Sequence, residues 1–269
     1  MAITAMYASA SGMRALDTKL SVLANNLANI NTTGFKRSRT NFEDLFYQTR
    51  VEPGSRNASG DNPLPAGLQV GLGAIASNTQ LNFMQGSIDV TSQPYDLAIE
   101  GSGFFQVNTI VGGQEVTAYT RAGNFIVNAN GNLVLGNSIG SVLEPAITIG
   151  QDVQEVVIGP SGQVSARVQG QSAFTQIGQI TLARFVNPTG LMTVGKNLFV
   201  STDASGEPIV ANPTESGLGM IQQGSLELSN VDPVRELVEL IQTQRYYELN
   251  SQAVKAADDT MQLISNLKR

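Results

Sequence analysis

A glycine-rich run at residues 101–105 is the clearest candidate for a nucleotide-binding loop. Gly101 and Gly103 have the spacing that begins the fingerprint cradling a dinucleotide pyrophosphate at the start of a helix. Gln106 stands where the third glycine would be, and no helical pattern follows it. We therefore interpret the run as a turn between two strands.

Acid–base and nucleophilic chemistry have few candidates in this chain. Asp258 and Asp259 are adjacent carboxylates, but neighbouring side chains on a helix do not face each other, so the pair predicts a solvated face. The sequence contains no Cys and no His, which excludes Cys-His and Ser-His-Asp catalysis and removes the preferred transition-metal ligands. We predict no catalytic residue, cofactor or metal site, although carboxylate-only hydrolysis and Ser-Lys catalysis remain open.

A short basic run, Lys36–Arg39, follows the predicted first helix. It is equally consistent with a solvated turn and with contact to an acidic partner surface. The chain as a whole carries 16 basic and 22 acidic residues, and residues 51–230 carry 5 and 13 of these. An acidic middle lacks the basic footprint that nucleic acid requires, so we expect no nucleic-acid partner.

The elements that would hold such residues are helical at both ends. Apolar residues recur every seven positions from Met6 over four heptads, with Ser9 as the one polar position, which is the pattern of a coiled-coil seam. The pattern stops at residues 29–34, where Asn and Gly favour a turn. The predicted N-terminal seam consists of Met6, Met13, Leu16, Leu20, Leu23, Leu27 and Ile30.

The second helix begins with a strong start signal, because Asp232 suits an N-cap and Pro233 suits the first helical position. No helix breaker occurs from residue 234 to 267. Leu237 and Ile241 widen its apolar stripe. The predicted C-terminal seam consists of Leu240, Tyr247, Val254 and Met261. Two matching helices around a β-rich middle favour an intersubunit bundle over two separate domain covers.

The middle of the chain reads as short strands joined by tight turns. Hairpins are predicted at Asn130-Gly131, Ser161-Gly162 and Ser205-Gly206, which supply the positive φ of such turns. Further strands are predicted at Asp96–Glu100, Phe104–Val107, Val116–Arg121 and Ile177–Val186. These spacings favour a small sandwich or barrel. Residues 47–74, rich in Pro, Gly, Asn and Ser, are interpreted as an extended linker or long loop.

The sequence predicts no export by a cleaved signal, and a signal-independent export route remains open. The first residues have no basic region followed by an apolar one, as a secretory signal would, and no stretch approaches the ~20 apolar residues of a membrane span. We therefore expect no direct membrane span.

Three ordered segments closely resemble the signatures of the flagellar basal-body rod and hook family. They are residues 23–36 (LANNLANINTTGFK), residues 101–107 (GSGFFQV) and residues 224–232 (GSLELSNVD) with their helical continuation. The motif residues are Asn25, Asn26, Asn29, Gly34, Phe35, Lys36, Ser229, Asn230, Gln244, Arg245 and Tyr247. Tyr246 departs from the small residue that the family more often has. Residues 46–54 and 64–71 resemble the insertion of the distal-rod members.

The resemblance implies a structural subunit of the distal rod that polymerises helically into the hollow drive shaft between motor and hook. The partners that it implies are further copies of the subunit, proximal rod and hook subunits, the P-ring and L-ring, the rod cap and the type III export apparatus. It places the protein in the flagellar basal body, in the rod that spans the periplasm. The alternatives are a hook or proximal rod subunit, or a secreted β-sandwich that binds or hydrolyses carbohydrate.

The expected fold is α+β, with the terminal helices packed as a coiled-coil-like bundle around a tube and an all-β sandwich or barrel between them. Residues 1–35 and 231–269 form the helical domain of this scheme. Residues 36–95 and 212–230 form a connector, and residues 96–211 form the β domain.

Overall fold

The computed structural model of the protein describes residues 2–54, 65–171 and 173–267. Over these residues one helix lies at each end and short strands fill the middle, which confirms the α+β class and the β-rich middle. The helices are α1 (Ala2–Ala28) and α2 (Pro233–Leu267). The strands are β1 (Ser38–Asp44), β2 (Tyr47–Val51), β3 (Leu68–Gly71), β4 (Ala74–Leu81), β5 (Ile88–Val90), β6 (Leu97–Glu100), β7 (Phe104–Val111), β8 (Gln114–Thr120), β9 (Phe125–Val127), β10 (Leu133–Leu135), β11 (Val142–Glu144), β12 (Val153–Ile158), β13 (Gln163–Val168), β14 (Thr175–Gln179), β15 (Leu182–Arg184), β16 (Met192–Gly195), β17 (Leu198–Val200), β18 (Ile209–Ala211), β19 (Met220–Gln223) and β20 (Ser225–Glu227).

The described residues form two compact units. The helical unit is made from residues 1–27, 38–80 and 232–269, and the β unit from residues 28–37 and 81–231. The chain therefore crosses from one unit to the other four times. The crossings follow residues 27, 37, 80 and 231.

Local sequence signals explain where both helices begin and end. α1 stops at Ala28, before a turn in which Gly34 takes a φ of 69°. At the start of α2 the Asp232 carboxylate accepts the backbone N–H groups of Val234 at 3.0 Å and Arg235 at 3.3 Å. Asp232 thus satisfies two of the N–H groups that a helix start leaves without partners, and the predicted N-cap is confirmed.

In the helical unit α1 and α2 run antiparallel. Along α1, Gly12 lies opposite Asn250, Lys19 lies 4.0 Å from the carboxylate of Glu239, and Asn26 bonds to Glu236, nearer the start of α2. Because partners on α2 descend in number as those on α1 ascend, the helices point in opposite directions.

A long two-stranded ribbon completes the helical unit. β1 pairs with β4 and β2 pairs with β3, and bonds from Leu45 to Gly73 and from Leu72 to Phe46 join the two pairs. The ribbon is fastened beside α1, since the Ala74 N–H donates to Ser11 Oγ at 3.3 Å. The linker predicted at residues 47–74 is therefore wrong at its two ends, which pair as strands, while residues 55–64 lie outside the described part.

The β unit is built on one large sheet in the order β16-β17-β8-β7-β11-β10-β9, with β15 pairing the start of β7 and β18 pairing β15. A three-stranded sheet, β12-β13-β14, and the pairs β19–β6 and β20–β5 complete it. The side chains of these strands form two apolar clusters, a smaller one that includes Phe104, Phe185 and Phe199 and a larger one. The fully buried members of the larger cluster include Leu97, Ile99, Phe105, Val107, Leu133, Val164, Ile180 and Leu182.

Two of the three predicted hairpins are confirmed, because β9 pairs β10 across Asn130-Gly131 and β12 pairs β13 across Ser161-Gly162. The Ser205-Gly206 hairpin is wrong. β17 already has β16 and β8 on its two edges, so β18 pairs with β15 instead. The strand predicted at Ile177–Val186 is two strands, β14 and β15. The glycines at 101 and 103 do form a turn, between β6 and β7.

Candidate functional site

The predicted N-terminal seam lies along α1 except for Ile30, which follows the end of the helix at Ala28 and is therefore not on the seam. The helical part of the seam is not fully covered. Leu23 is buried, whereas Met6, Met13, Leu16, Leu20, Leu27 and Ile30 are each only partly buried. Helices in water normally hide such a stripe. Most of this stripe therefore keeps apolar surface available for other contacts.

The seam of α2 shares its face with buried polar residues. Leu240 and Val254 are partly buried, while Tyr247 and Met261 are 40% and 37% exposed. Glu236, Glu239 and Thr243 lie on the same face, and Glu236 and Thr243 are buried. The Thr243 hydroxyl donates to the Glu239 carbonyl at 2.6 Å, so its burial leaves no unmet donor.

Leu237 and Ile241, which were predicted to widen this stripe, lie about 60° and 100° around α2 from Leu240. Together with Val234 and Val238 they form a second apolar stripe, at i, i+3, i+4 and i+7 spacing, on the side away from Glu236 and Glu239. These four side chains are 45–69% exposed. We call Val234, Leu237, Val238 and Ile241 the outer apolar face.

An apolar groove opens where α1, α2 and the ribbon meet within the helical unit. Its walls are formed by Gly12, Ala15, Leu16, Phe42, Ala74, Tyr246, Leu249 and Asn250. Tyr246, the departure from the family pattern, forms part of this wall and is 54% exposed. A bulky aromatic at this position thus shapes the groove without filling it.

Asn26 is a buried connector within the helical unit. Its amide nitrogen donates to the Ser38 carbonyl at 2.8 Å and to Glu236 Oε2 at 3.1 Å, and its oxygen accepts the Ser38 N–H at 3.0 Å. One fully buried amide therefore joins the end of α1, the start of β1 and the first turn of α2.

Glu227 is the centre of a second buried network, in the β unit. Its carboxylate accepts Lys36 Nζ at 2.6 Å, Arg121 Nη1 at 3.3 Å and the Gly86 N–H at 2.9 Å. The Lys36 and Glu227 side chains are fully buried and that of Arg121 is 4% exposed. Both interpretations of the basic run were therefore wrong for Lys36, which faces neither solvent nor a partner.

This network encloses two cations and one carboxylate, so backbone carbonyls accept further bonds from both cations, while the buried Arg121 Nε has no acceptor among the described residues. Lys36 Nζ also donates to the Met84 carbonyl at 2.8 Å, and Arg121 Nη2 donates to the Gly101 carbonyl at 2.7 Å. Burial lowers the pKa of Lys36, and the Glu227 carboxylate opposes that shift. Burial likewise lowers the pKa of Arg121, with the same carboxylate acting against it.

Asn230 completes the network. Its side-chain oxygen accepts the Arg37 N–H at 2.7 Å, and its amide nitrogen donates to the carbonyls of Asn82 at 2.8 Å and Met84 at 2.9 Å. We call Lys36, Arg121, Glu227 and Asn230 the crossover cluster, because three of the four lie within a few residues of a crossing between the units.

Gly34 has two independent reasons to be glycine. Its φ of 69° lies in the left-handed region, and a Cβ there would sit 2.6 Å from the backbone nitrogen of Ala122. Its N–H donates to the Glu227 carbonyl at 2.8 Å. Phe35 is partly buried, and its carbonyl accepts the Asn230 N–H at 3.4 Å.

Two of the remaining motif residues form local side-chain hydrogen bonds. The Asn29 side chain accepts the Thr32 hydroxyl at 3.1 Å, and Ser229 Oγ accepts the Val231 N–H at 3.3 Å, so both shape local turns. Four motif residues are exposed, namely Asn25, Gln244, Arg245 and Tyr247. Glu227, Arg121 and Glu236 were not predicted from the sequence as site residues. For Glu227 the available signal was a single charge between two leucines in a charge-poor chain.

Three sequence models of one protein family match the chain in order. Residues 6–36 match "Flagella basal body rod protein", residues 98–166 match "Flagellar hook protein FlgE/F/G D1 domain", and residues 222–267 match "Flagellar basal body rod FlgEFG protein C-terminal".

Full-length relatives agree with these matches. The flagellar basal-body rod protein FlgG of Agrobacterium fabrum is 43% identical over 265 residues, covering 98% of this chain and 99% of the relative. FlgG of Caulobacter vibrioides is 43% identical over 264 residues with the same coverage. The chain belongs to the flagellar basal-body rod protein family. A hook–basal body complex protein of Bacillus subtilis, FlhP, is 31% identical over 277 residues and covers 99% of this chain.

Membership of the rod family confirms the predicted function, a structural rod subunit of the flagellar basal body, against the alternative of a secreted carbohydrate-acting protein. Asn26, Lys36, Glu227 and Asn230 lie in the two terminal segments matched by the rod models, and Arg121 lies in the middle one. Among the described residues, neither helix has the length and apolarity of a membrane span, and no acidic cluster of the kind that holds a metal occurs.

Proposed function

We propose that this rod protein polymerises helically through its terminal helices into the distal rod, a rigid hollow drive shaft that carries torque from the motor to the hook. In that assembly the helices of many subunits form a coiled-coil-like bundle around a central channel, and the β units decorate it. The rod lies in the periplasm-spanning part of the basal body. Transmission of torque, rather than catalysis, is its role.

The outer apolar face of α2 carries this proposal. Four apolar side chains, each 45% or more exposed, form a stripe on the side of α2 opposite its α1-facing residues. Fully burying such a side chain contributes about 1.5–3 kcal/mol. A helix that is apolar on two faces has more apolar surface than one partner helix covers, so a neighbouring subunit is the natural second partner.

The ribbon supports a further contact between subunits. All five residues of β2 are exposed, and the Phe46 side chain before it is 88% exposed. An isolated two-stranded ribbon is marginally stable in water. We propose that the ribbon, with the distal-rod insertion at residues 47–74, bridges neighbouring subunits and stiffens the polymer.

The wider partners follow from the family rather than from any contact within this chain. We propose proximal rod subunits below the polymer, hook subunits above it, the P-ring and L-ring around it, and the rod cap and type III export apparatus during assembly, with export lacking a cleaved signal. Residues 1–35 and 231–269 would form the tube, residues 36–95 and 212–230 the connector, and residues 96–211 the outer, sandwich-like or barrel-like domain.

The test is polymer formation by variants of the outer apolar face. Ile241→Asp places a charge where an intersubunit contact would desolvate it, and should abolish pelletable filaments seen by electron microscopy of concentrated protein. The control is Gln252→Asp, an exposed position of α2 about three turns beyond this face, which should polymerise as the parent does. Normal filaments from Ile241→Asp would contradict the proposed interface.

A further inference from the structure

One buried cluster in the β unit touches every segment by which the chain enters or leaves that unit. The chain crosses between the units at both ends of residues 28–37, before residue 81 and after residue 231. The crossover cluster takes Lys36 from the first segment, and Glu227 and Asn230 from the last. Its carbonyl acceptors at Asn82 and Met84 come from the segment between them.

The bonds within the cluster link these segments directly to one another. Lys36 joins the first segment to the last through Glu227, and to the middle one through Met84. Asn230 joins the last segment to the other two through Arg37 and Asn82. Backbone bonds run in parallel, from Asn82 N to the Arg37 carbonyl at 2.8 Å and from Leu228 N to the Ser87 carbonyl at 2.8 Å.

The segments are also too close for any of them to move alone. A Cβ at Gly86 would overlap the Leu228 carbonyl oxygen, just as one at Gly34 would overlap the backbone of Ala122. At these two positions the segments touch backbone to backbone, so no side chain can move aside to let one segment shift. Packed interiors resist such small displacements.

Arg121 fastens the cluster to the core of the β unit. It follows β8, a strand of the large sheet, and donates to the carbonyls of Ile99 at 3.4 Å and Gly101 at 2.7 Å while pairing with Glu227. Its guanidinium lies 5.4 Å from the ring centroid of Phe104. Tension on a crossing segment therefore reaches the sheet through charged bonds, which are the stronger hydrogen bonds of proteins.

We propose that the crossover cluster is a mechanical clamp, which makes the crossing segments resist tension together and prevents them from peeling off the β unit one at a time. The proposal rests on the torque-carrying function proposed above, since only a loaded subunit needs such a clamp. Its mechanical signature is directional. The clamp resists forces applied through the crossings and contributes little to forces applied elsewhere on the β unit.

Single-molecule force spectroscopy on the full-length, dilute monomer tests this. The chain has no native cysteine, so introduced cysteines give unique attachment points. One geometry pulls from the two chain ends and so loads the β unit through its crossings. The other pulls between cysteines at the exposed positions Gln114 and Gln151, away from the cluster. Forced unfolding reports the unfolding rate along each direction.

Glu227→Gln should raise the unfolding rate of the β unit at fixed force by at least about tenfold in the end-to-end geometry, because it removes the buried counter-charge. It should change the rate less than about twofold between positions 114 and 151. Asn230→Ala should also raise the unfolding rate in the end-to-end geometry. It is the deciding variant if Glu227→Gln does not fold. Glu155→Gln, in the exposed pair with Arg167, is the matched control.

Equal changes along both directions would reduce the cluster to an ordinary contribution to stability and overturn the clamp. So would an unchanged end-to-end rate in both cluster variants. The measurement is made on monomers, so its outcome is independent of the polymerisation assay. If the protein forms filaments but the pulling experiment shows no directional effect, the clamp fails and the proposed function stands. If the directional effect is seen but no filaments form, the clamp stands and the proposed function fails.

Discussion

Replacing Glu227 by Gln tests whether the crossover cluster stabilises the β unit through charge. The substitution keeps the shape of the side chain and an oxygen that can still accept the Gly86 N–H. It removes the carboxylate that contacts Lys36 at 2.6 Å and Arg121 at 3.3 Å. Two buried cations would then remain with only neutral acceptors.

Removing one partner from a buried ion pair lowers the free energy of unfolding by about 3–5 kcal/mol. Arg121 cannot lose its proton, whereas Lys36 can, so the loss should lie in this range near neutral pH. It is a large share of the ~5–15 kcal/mol that stabilises a typical domain. The control Glu155→Gln breaks a pair whose side chains are 39% and 49% exposed, and should cost less than about 1 kcal/mol.

The deficit should shrink as the pH rises. Burial lowers the pKa of Lys36 below its ordinary 10.5, so between the lowered pKa and 10.5 the unfolded chain binds more protons and stability increases with pH. Without the carboxylate that opposes the shift, this window begins at lower pH in Glu227→Gln. Burial raises the pKa of Tyr119 above 10.0, which lowers stability above that pH, but equally in variant and control.

Urea unfolding followed by circular dichroism, at several pH values from 7 to about 9.5, measures these differences. Lys36→Met/Glu227→Gln lacks the lysine and should show no such recovery with pH. A loss below about 1 kcal/mol for Glu227→Gln at neutral pH would refute the charge argument. A pH-independent deficit would refute the role assigned to Lys36.

Three further outcomes are expected. Leu20→Asp, on the partly buried seam, should abolish filaments because each subunit would bury an unpaired charge, while the exposed Asp17→Ala should be mild; sedimentation decides, and an unchanged critical concentration would show that the seam is misassigned. Deleting much of residues 47–74 should give filaments that electron microscopy shows to be more flexible, and equally straight filaments would rule out the bridging ribbon. Limited proteolysis of the dilute monomer should trim α1 and α2 but stop before the segment anchored by Lys36, and cleavage within that segment would argue that the cluster forms only in the polymer.

The amino-acid sequence determined the features that depend on neighbours along the chain. The heptad repeat and the Asp232-Pro233 signal specify helices because side chains three and four positions apart share a face and the first N–H groups need a cap. Asn130-Gly131 specifies a hairpin because the turn itself requires positive φ. The family resemblance rests on the same local patterns, since its motifs are continuous segments.

Tertiary structure alone decided which strands and charges meet. Ser205-Gly206 has the same local signal as the true hairpins, yet β17 had both edges occupied, and strand pairing depends on which edges remain open. Lys36 was interpreted as solvated or in contact with a partner because it begins a run of basic residues. Its partner Glu227 lies 191 positions away along the chain, and sequence patterns predict contacts only between residues that are close in sequence. The burial that makes this pair consequential arises only when the crossing segments pack together.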